Sequence, residues 1–536
     1  MEKGDVVLTR IRTISATVSE KTEHAGGGFN YSKLNLRNTH LAAISALLYV
    51  VAFGMILGYP SPATVDMKMK GSRFRQVTVD EITWIASVSS LSAVVGNCIS
   101  GMMATFSSPA TVDMQKPGSR FIHITEDQIS WIASLPSLTA AFGNILSGYA
   151  SQKLGRKAVL MYMSAIYLSS WLMIAYASSV EWIYAGRALS GFCCGMCNVA
   201  VPVYVLEIAT TETRGLLTSG FQIAVGLGIF ITMALGAVLR WSWLAMSAAG
   251  ISTCAACLIY FVPESPAWLV SQSISLAAEK ALIELRGKKS DYKTELREIS
   301  ESLAEHSADS IRLRDILDPT LYKPLAISIT LMFFQMFCGI NVFLTYTVEI
   351  FESSGSHISP FLGSIIFAAV LVLSASLSSI LMDRAGRKKL YITSGSCMIL
   401  SLTVLGIFSF ISAEHNSNPR AFGWIPFVCF ISYIAAFGMG FGPVPYVMIP
   451  ELVPLRSRST VMAVSCIVGF ICGFSTSKLF YSMKSVLAIY GVYWTYALFS
   501  FLGCLFCYFF MPETKGKSLN EINLSFAASS DVSLSK

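Results

Sequence analysis

Apolar runs recur along the chain, broken by short polar turns. They lie near 41–59, 129–151, 158–178, 182–204, 215–238 and 241–262. After a charged stretch they resume near 324–350, 359–382, 389–411, 421–448, 459–481 and 487–510. A helix of about 20 apolar residues crosses a bilayer. The runs are continuous rather than alternating, which selects helices over a barrel. The pattern predicts an all-α polytopic membrane protein of two six-helix bundles, with twelve working transmembrane helices. The expected layout is a tail over 1–40, a bundle over 41–262, a cytosolic helical linker over 263–323, a bundle over 324–511 and a tail over 512–536. Within the linker, 275–287 and 292–305 have amphipathic helical spacing.

One stretch is in excess. Residues 61–101 repeat as 108–148 without a gap, identical at about 25 of 41 positions. Ser61-Pro62-Ala63-Thr64-Val65-Asp66-Met67 returns as Ser108-Pro109-Ala110-Thr111-Val112-Asp113-Met114. A repeat this close reads as a recent local duplication. Only the second copy runs into Gly155-Arg156-Lys157, so 129–151 is taken as the working helix. Residues 61–107, the near-duplicate of 108–154, are expected to be surplus. A thirteenth crossing would put two basic regions on opposite sides.

Composition agrees with the pattern. The chain is 54% hydrophobic and 13% charged, with a mean hydropathy of +0.59. Its formal net charge is +7. The basic residues gather in the first 40 residues, in two Gly-Arg-Lys turns, in the linker and after Pro512. The positive-inside rule places these regions, and both termini, in the cytosol. Basic residues scattered between spans give no nucleic-acid surface. The thirteen cysteines lie mostly within apolar runs. Their Cys-x-x-Cys pairs read as small residues packing helices, so no metal and no cofactor is expected. No cleavable signal is legible in the polar first 40 residues.

Short charged motifs recur at matching places in the two halves. Gly155-Arg156-Lys157 pairs with Asp383-Arg384-Ala385-Gly386-Arg387-Lys388, and Pro263-Glu264-Ser265-Pro266 with Pro512-Glu513-Thr514-Lys515. Glu207 with Arg214 answers Glu451 with Arg458. An arginine at one helix end can hold a glutamate at another through directional, bidentate pairing. Arg156, Arg214, Glu207 and Glu264 are therefore candidates for one cluster. Arg387, Arg458, Glu451 and Glu513 are its counterpart, with Asp383 opening the second tag. Clusters that form only when one side is closed would gate the path between the bundles.

With these motifs in order, the chain resembles the sugar porters of the major facilitator superfamily, the glucose-transporter type. Gly186-Arg187 with Gly191, Pro202-x-Tyr204-x-x-Glu207 and Arg214-Gly215 add to the match. The Tyr59-Pro60-Ser61-Pro62-Ala63 exit points to the insect facilitated trehalose transporters. The resemblance implies a plasma-membrane transporter of a neutral sugar rather than an enzyme.

Amides within spans can bond sugar hydroxyls. Gln222, Gln335 and Asn341 are the candidates. The segment Gln335-Met336-Phe337-Cys338-Gly339-Ile340-Asn341 resembles a family motif whose amides contact sugar, which implies that role for Gln335 and Asn341. Gln222 matches the family's fifth-helix glutamine. Tyr446 stands where the family usually has tryptophan and is expected to form an aromatic wall. Gly469-Phe470 replaces a common Asn-Trp, which makes the pocket less polar. The first span, 53–60, holds no acid, and Glu349 falls late in the seventh, near the outer mouth. A proton relay needs a titratable group along the path. The expectation is a monomeric, facilitative carrier of trehalose or glucose. The alternatives are a proton-coupled symporter using Glu349 and a non-transporting sugar sensor.

Overall fold

The computed structural model describes residues 96–208, 214–286, 292–307, 319–354, 358–414, 422–453 and 458–515. All lie in the compact unit Ile56–Lys536. The apolar run at 41–59, the expected tail over 1–40 and residues 516–536 of the other lie outside these residues.

The first half begins with helical residues 96–105, continued across Phe106 by α1 (Ser107–Met114). Then come α2 (Glu126–Leu154), α3 (Arg156–Ala175), α4 (Val180–Ile208), α5 (Arg214–Gly236) and α6 (Trp241–Phe261). The linker carries α7 (Pro266–Ser271), α8 (Ser275–Arg286) and α9 (Tyr292–Ser307). The second half holds α10 (Pro319–Phe337), α11 (Ile340–Thr345), α12 (Thr347–Ser353), α13 (Pro360–Ala385) and α14 (Arg387–Glu414). It closes with α15 (Trp424–Ala436), a π-helical turn (Phe437–Phe441), α16 (Pro443–Leu452) and α17 (Arg458–Phe510). Ala488, at φ 54°, divides α17 into two helices. Among the described residues, eight helices are long and apolar enough to cross a membrane.

Local chemistry sets the helix starts. Thr125 and Gln128 form a reciprocal capping box at α2, with Glu126 and Asp127 in the first turn. Acidic residues there offset the exposed N–H groups and the helix dipole. Ser359 caps α13, with Pro360 at its first position. Large apolar side chains, including Phe142, Ile145, Leu373, Leu400 and Phe509, stand exposed. A belt of this kind suits lipid, not water.

Small residues bring the helices together. A Cβ on Gly143 or Gly195 of α2 and α4 would collide with the Phe192 or Ala140 carbonyl oxygen. Ser147 Oγ donates to the Met196 carbonyl at 2.7 Å across the same contact. Close backbone approach and interhelical hydrogen bonds are what hold helices together where lipid supplies no hydrophobic drive.

Residues 96–107 belong to the segment expected to be surplus, yet they lie inside the first half. Ile99, Met102 and Phe106 are buried with Trp171 and Ile174, and Phe106 meets Trp171 edge-on at 5.3 Å. The fully buried Arg187 of α4 bonds this helix. Its Nη1 donates to the Met103 carbonyl at 2.8 Å. Its Nη2 donates to Ser107 Oγ at 3.0 Å, and its Nε to the Ile132 carbonyl of α2 at 3.0 Å.

Candidate functional site

Each half carries the same knot at its Gly-Arg-Lys end. In the first half Arg156 Nη2 lies 2.9 Å from Glu207 Oε1, and Arg156 Nη1 donates to the Ser151 carbonyl at 3.1 Å. Ser265 Oγ donates to Glu207 Oε2 at 2.5 Å. In the second half Arg387 Nη2 lies 3.0 Å from Glu451 Oε1, and Thr514 Oγ1 donates to Glu451 Oε2 at 2.6 Å. Each arginine is thus tied to a glutamate of its own half.

Glu264 and Glu513 were candidates for arginine pairing, but the structure uses them differently. Glu264 Oε1 accepts the Arg156 and Lys157 backbone N–H groups, both at 3.0 Å. Glu513 accepts those of Arg387 at 3.1 Å and Lys388 at 3.2 Å. The reason is local. Gly155 precedes α3 and has no side chain to cap it. The orphan N–H groups need an acceptor, and a distant carboxylate also meets the positive end of the helix dipole. A glycine directly before a helix start was the sequence signal for this role. Burial lowers the Arg458 guanidinium below its usual value, and the Glu451 carboxylate opposes that shift. The side chains of Arg214 and Asp383 lie outside the described residues.

Gly155 and Gly386 adopt φ 94° and 88°. A Cβ on Gly155 would sit 2.5 Å from Glu264 Oε2, and one on Gly386 2.8 Å from Glu513 Oε2. Gly155→Ala should therefore lose about 1–3 kcal/mol through strain and a displaced cap. A thermal shift of detergent-solubilised protein measures it, with Gly386→Ala expected to fall by a similar amount.

Gln335 and Asn341 flank a break in the seventh span. Gly339 turns the chain at φ 94° between α10 and α11, where a Cβ would meet the Tyr496 ring at 2.5 Å. Tyr433 OH donates to the Cys338 carbonyl freed by this turn, at 3.1 Å. Gln335, 2% exposed, donates through Nε2 to the Gly442 carbonyl at 2.5 Å. Gly442 closes the π-helical turn, so the amide bridges the two broken spans. Gln335 Oε1 is buried with no partner. Asn341 Nδ2 faces Met336 Sδ at 3.5 Å, and a side chain on Gly473 would displace it. Gly469 has only Met332 nearby, the nearest atom 3.7 Å from a Cβ there. Tyr446 is half-buried on α16, near Cys466 and Cys194. Gln222 is half-buried on α5. The structure thus joins Gln335 to the α15–α16 break and sets Asn341 against α17. Among the described residues, no hydrogen bond joins Gln335 or Asn341 to Gln222 or Tyr446.

The sequence reading missed two further amide and lysine positions. Asn144 of α2, 2% exposed, donates to the Ala463 carbonyl of α17 at 3.4 Å. At the end of the molecule away from the Gly-Arg-Lys turns, Lys478 of α17 meets Asp127 at 2.6 Å and lies 4.3 Å over the Trp131 ring. Ser130 Oγ donates to the Lys478 carbonyl at 3.1 Å. These contacts hold the two halves together at that end. Glu349 also lies there: its carboxylate accepts Tyr481 OH at 2.6 Å and Lys484 Nζ at 3.2 Å.

The model of the sugar (and other) transporter family matches residues 41–526. The chain belongs to this family. The chain is 34% identical over 487 residues to the facilitated trehalose transporter Tret1 of Anopheles gambiae, covering 90% of this chain and 55% of that protein. Trehalose transporter 1 of Drosophila melanogaster matches at 34% over 487 residues, with 90% and 51% covered. The chain spans about half the length of the curated relatives it matches. Among solved structures, the inward-open xylose transporter XylE of E. coli superposes with a TM-score of 0.68 at 24% identity. That match covers 81% of this chain and 98% of the other. The major facilitator superfamily proton:xylose symporter XylE bound to 6-bromo-6-deoxy-D-glucose gives 0.67 at 24%, with 83% and 99% covered. The fold is that of the major facilitator superfamily, two bundles of six helices.

Proposed function

We propose that this transporter carries a neutral sugar, trehalose or glucose, down its gradient by alternating access. The observation that carries this reading is the buried Gln335 Oε1 without a donor, beside two broken spans. Broken helices at the middle of a bundle are where transporters of repeated design place their substrate. A sugar hydroxyl would supply the missing donor, with Asn341 and Gln222 as further hydrogen-bonding partners and Tyr446 as an aromatic wall. The names of the relatives from Anopheles and Drosophila favour trehalose. The Arg156–Glu207 and Arg387–Glu451 pairs would hold the helix ends of each half rigid while the halves rock. The basic turns favour an orientation with these ends, and both termini, in the cytosol of a plasma-membrane monomer.

Glu349 is the acid a proton-coupled mechanism would use. It is already held by Lys484 and Tyr481, which favours a fixed structural charge over a relay. Uptake of labelled trehalose by cells displaying the full chain should saturate and should persist when a protonophore collapses the proton gradient. Uptake that falls with the gradient would replace uniport by symport.

A further inference from the structure

Helices α2 and α17 run antiparallel across the boundary between the two halves. α2 starts at Glu126 and ends at the Gly155 turn; α17 starts at Arg458, soon after Glu451, and runs away from that knot. Their contacts keep step along both helices. At the outer end, away from the Gly-Arg-Lys turns, Lys478 meets Asp127 and covers the Trp131 ring. One turn inward on α17, the Phe474 ring lies 6.1 Å from that of Trp131. From Asp127, about 25 Å along α2 at about 1.5 Å per residue, Asn144 Nδ2 donates to the Ala463 carbonyl. Cys466, nearly one turn from Ala463, is hydrogen-bonded to the Asn198 side chain of α4. Ala463, Cys466, Phe474 and Lys478 have the spacing of a single helix face. The seam is therefore bonded at both of its ends.

Both ends are joined by contacts that part easily. The Asp127 side chain is 75% exposed and that of Lys478 23%, so both charges return to water when they separate. Asn144 Nδ2 reaches its carbonyl only at 3.4 Å, and Asn144 Oδ1 is buried with no partner. Parting here lets the amide gain hydrogen bonds that it lacks while the seam is closed. Contacts inside one half are of another kind: Arg187 serves three acceptors and is wholly buried. Groups that separate in every cycle need contacts of the first kind, because a deeply buried charge that loses its partners is strongly destabilising.

We infer that Lys478, with Asp127 and Trp131, is the outer latch of this seam, and that Asn144, with Asn198, is the inner latch; release of either opens the path at its own end while the other stays shut. This rests on the alternating-access reading above and adds the positioning residues that perform it. Latches on one rocking seam are reciprocal. Weakening one shifts the protein toward the state open at that end, and the far end is then closed more of the time. Ser108 Oγ also accepts the Val348 N–H across the two halves, at 3.0 Å, so loss of Lys478 loosens the seam without freeing the halves.

Two buried thiols report the two ends. Cys466, 5% exposed, marks the inner end. Ser134→Cys marks the outer end, since Ser134 is 0% exposed and stands one turn along α2 from Ser130, which bonds the Lys478 carbonyl. The purified full-length protein carrying Ser134→Cys, in lipid nanodiscs, is treated with N-ethylmaleimide, and mass spectrometry reads the rate at each cysteine. Adding Lys478→Met should speed alkylation at position 134 about fivefold or more and slow it at Cys466. Adding Asn144→Ala instead should do the reverse. Lys478→Arg keeps the charge and the stacking on Trp131, so it should match the parent. Only opposite movement of the two rates supports the inference. Acceleration of both thiols together, which means general loosening, overturns it, and so does a rate at either thiol that stays unchanged. The rates need no sugar, so failure here leaves sugar transport to be decided by uptake, and failure of uptake leaves the latches to be decided here.

Discussion

Replacing Arg187 with methionine is expected to leave little folded transporter. The guanidinium is 0% exposed and serves three acceptors, the Met103 and Ile132 carbonyls and Ser107 Oγ. Methionine fills much of the volume but donates nothing. Each acceptor left buried without a donor costs about 1–3 kcal/mol. The sum, on the order of 3–9 kcal/mol, is a large share of a net stability of about 5–15 kcal/mol. Arg187→Lys should recover little. One ammonium on a flexible stem cannot span three acceptors that a planar fork reaches at once. Fluorescence-detected size exclusion of solubilised protein measures the outcome. A monodisperse Arg187→Met protein with an unchanged melting temperature would contradict the assigned role.

The second large effect is expected at Gln335. Leucine there should leave the protein folded and delivered, but lower the kcat/KM of sugar uptake about 10- to 100-fold. Two losses combine. The Gly442 carbonyl loses its donor across the broken spans, and the sugar loses the acceptor proposed for one hydroxyl. A polar group removed from such a site costs about 1–3 kcal/mol, and every 1.4 kcal/mol is about tenfold. Gln335→Glu keeps an acceptor but sets an oxygen against the Gly442 carbonyl, so it should fall between wild type and leucine. Surface biotinylation separates loss of transport from loss of protein. Unchanged uptake by Gln335→Leu would remove Gln335 from the substrate path.

Much of the helical layout was legible because a bilayer sets helix length and excludes polar side chains from it. The breaks were harder to read. The span expected over 324–350 is three helices, broken at Gly339, which takes a left-handed conformation, and again at Tyr346. Glycine in a membrane helix more often marks close packing, as Gly143 and Gly195 do here, and the sequence does not distinguish the two uses. At 437–441 a π-helical turn lies where Gly438, Gly440 and Gly442 run into Pro443, a composition that lets a helix bend. Arg156 with Glu207 and Arg387 with Glu451 stood out because the motif recurs. The capping role of Glu264 and Glu513 depends on backbone N–H groups far away in sequence, so residue type alone pointed to the guanidinium of Arg156 or Arg387 rather than to its backbone. Arg187 was quoted as a family motif without a role, since its acceptors are carbonyls, which carry no side-chain signature.

The most direct test of sugar transport by this chain is counterflow in proteoliposomes holding the purified full-length protein. Vesicles preloaded with unlabelled trehalose should take up labelled trehalose faster than empty ones, and transiently above the equilibrium level. That overshoot requires a site presented to the two sides in turn. Equal uptake by loaded and empty vesicles, with glucose as with trehalose, would contradict the account.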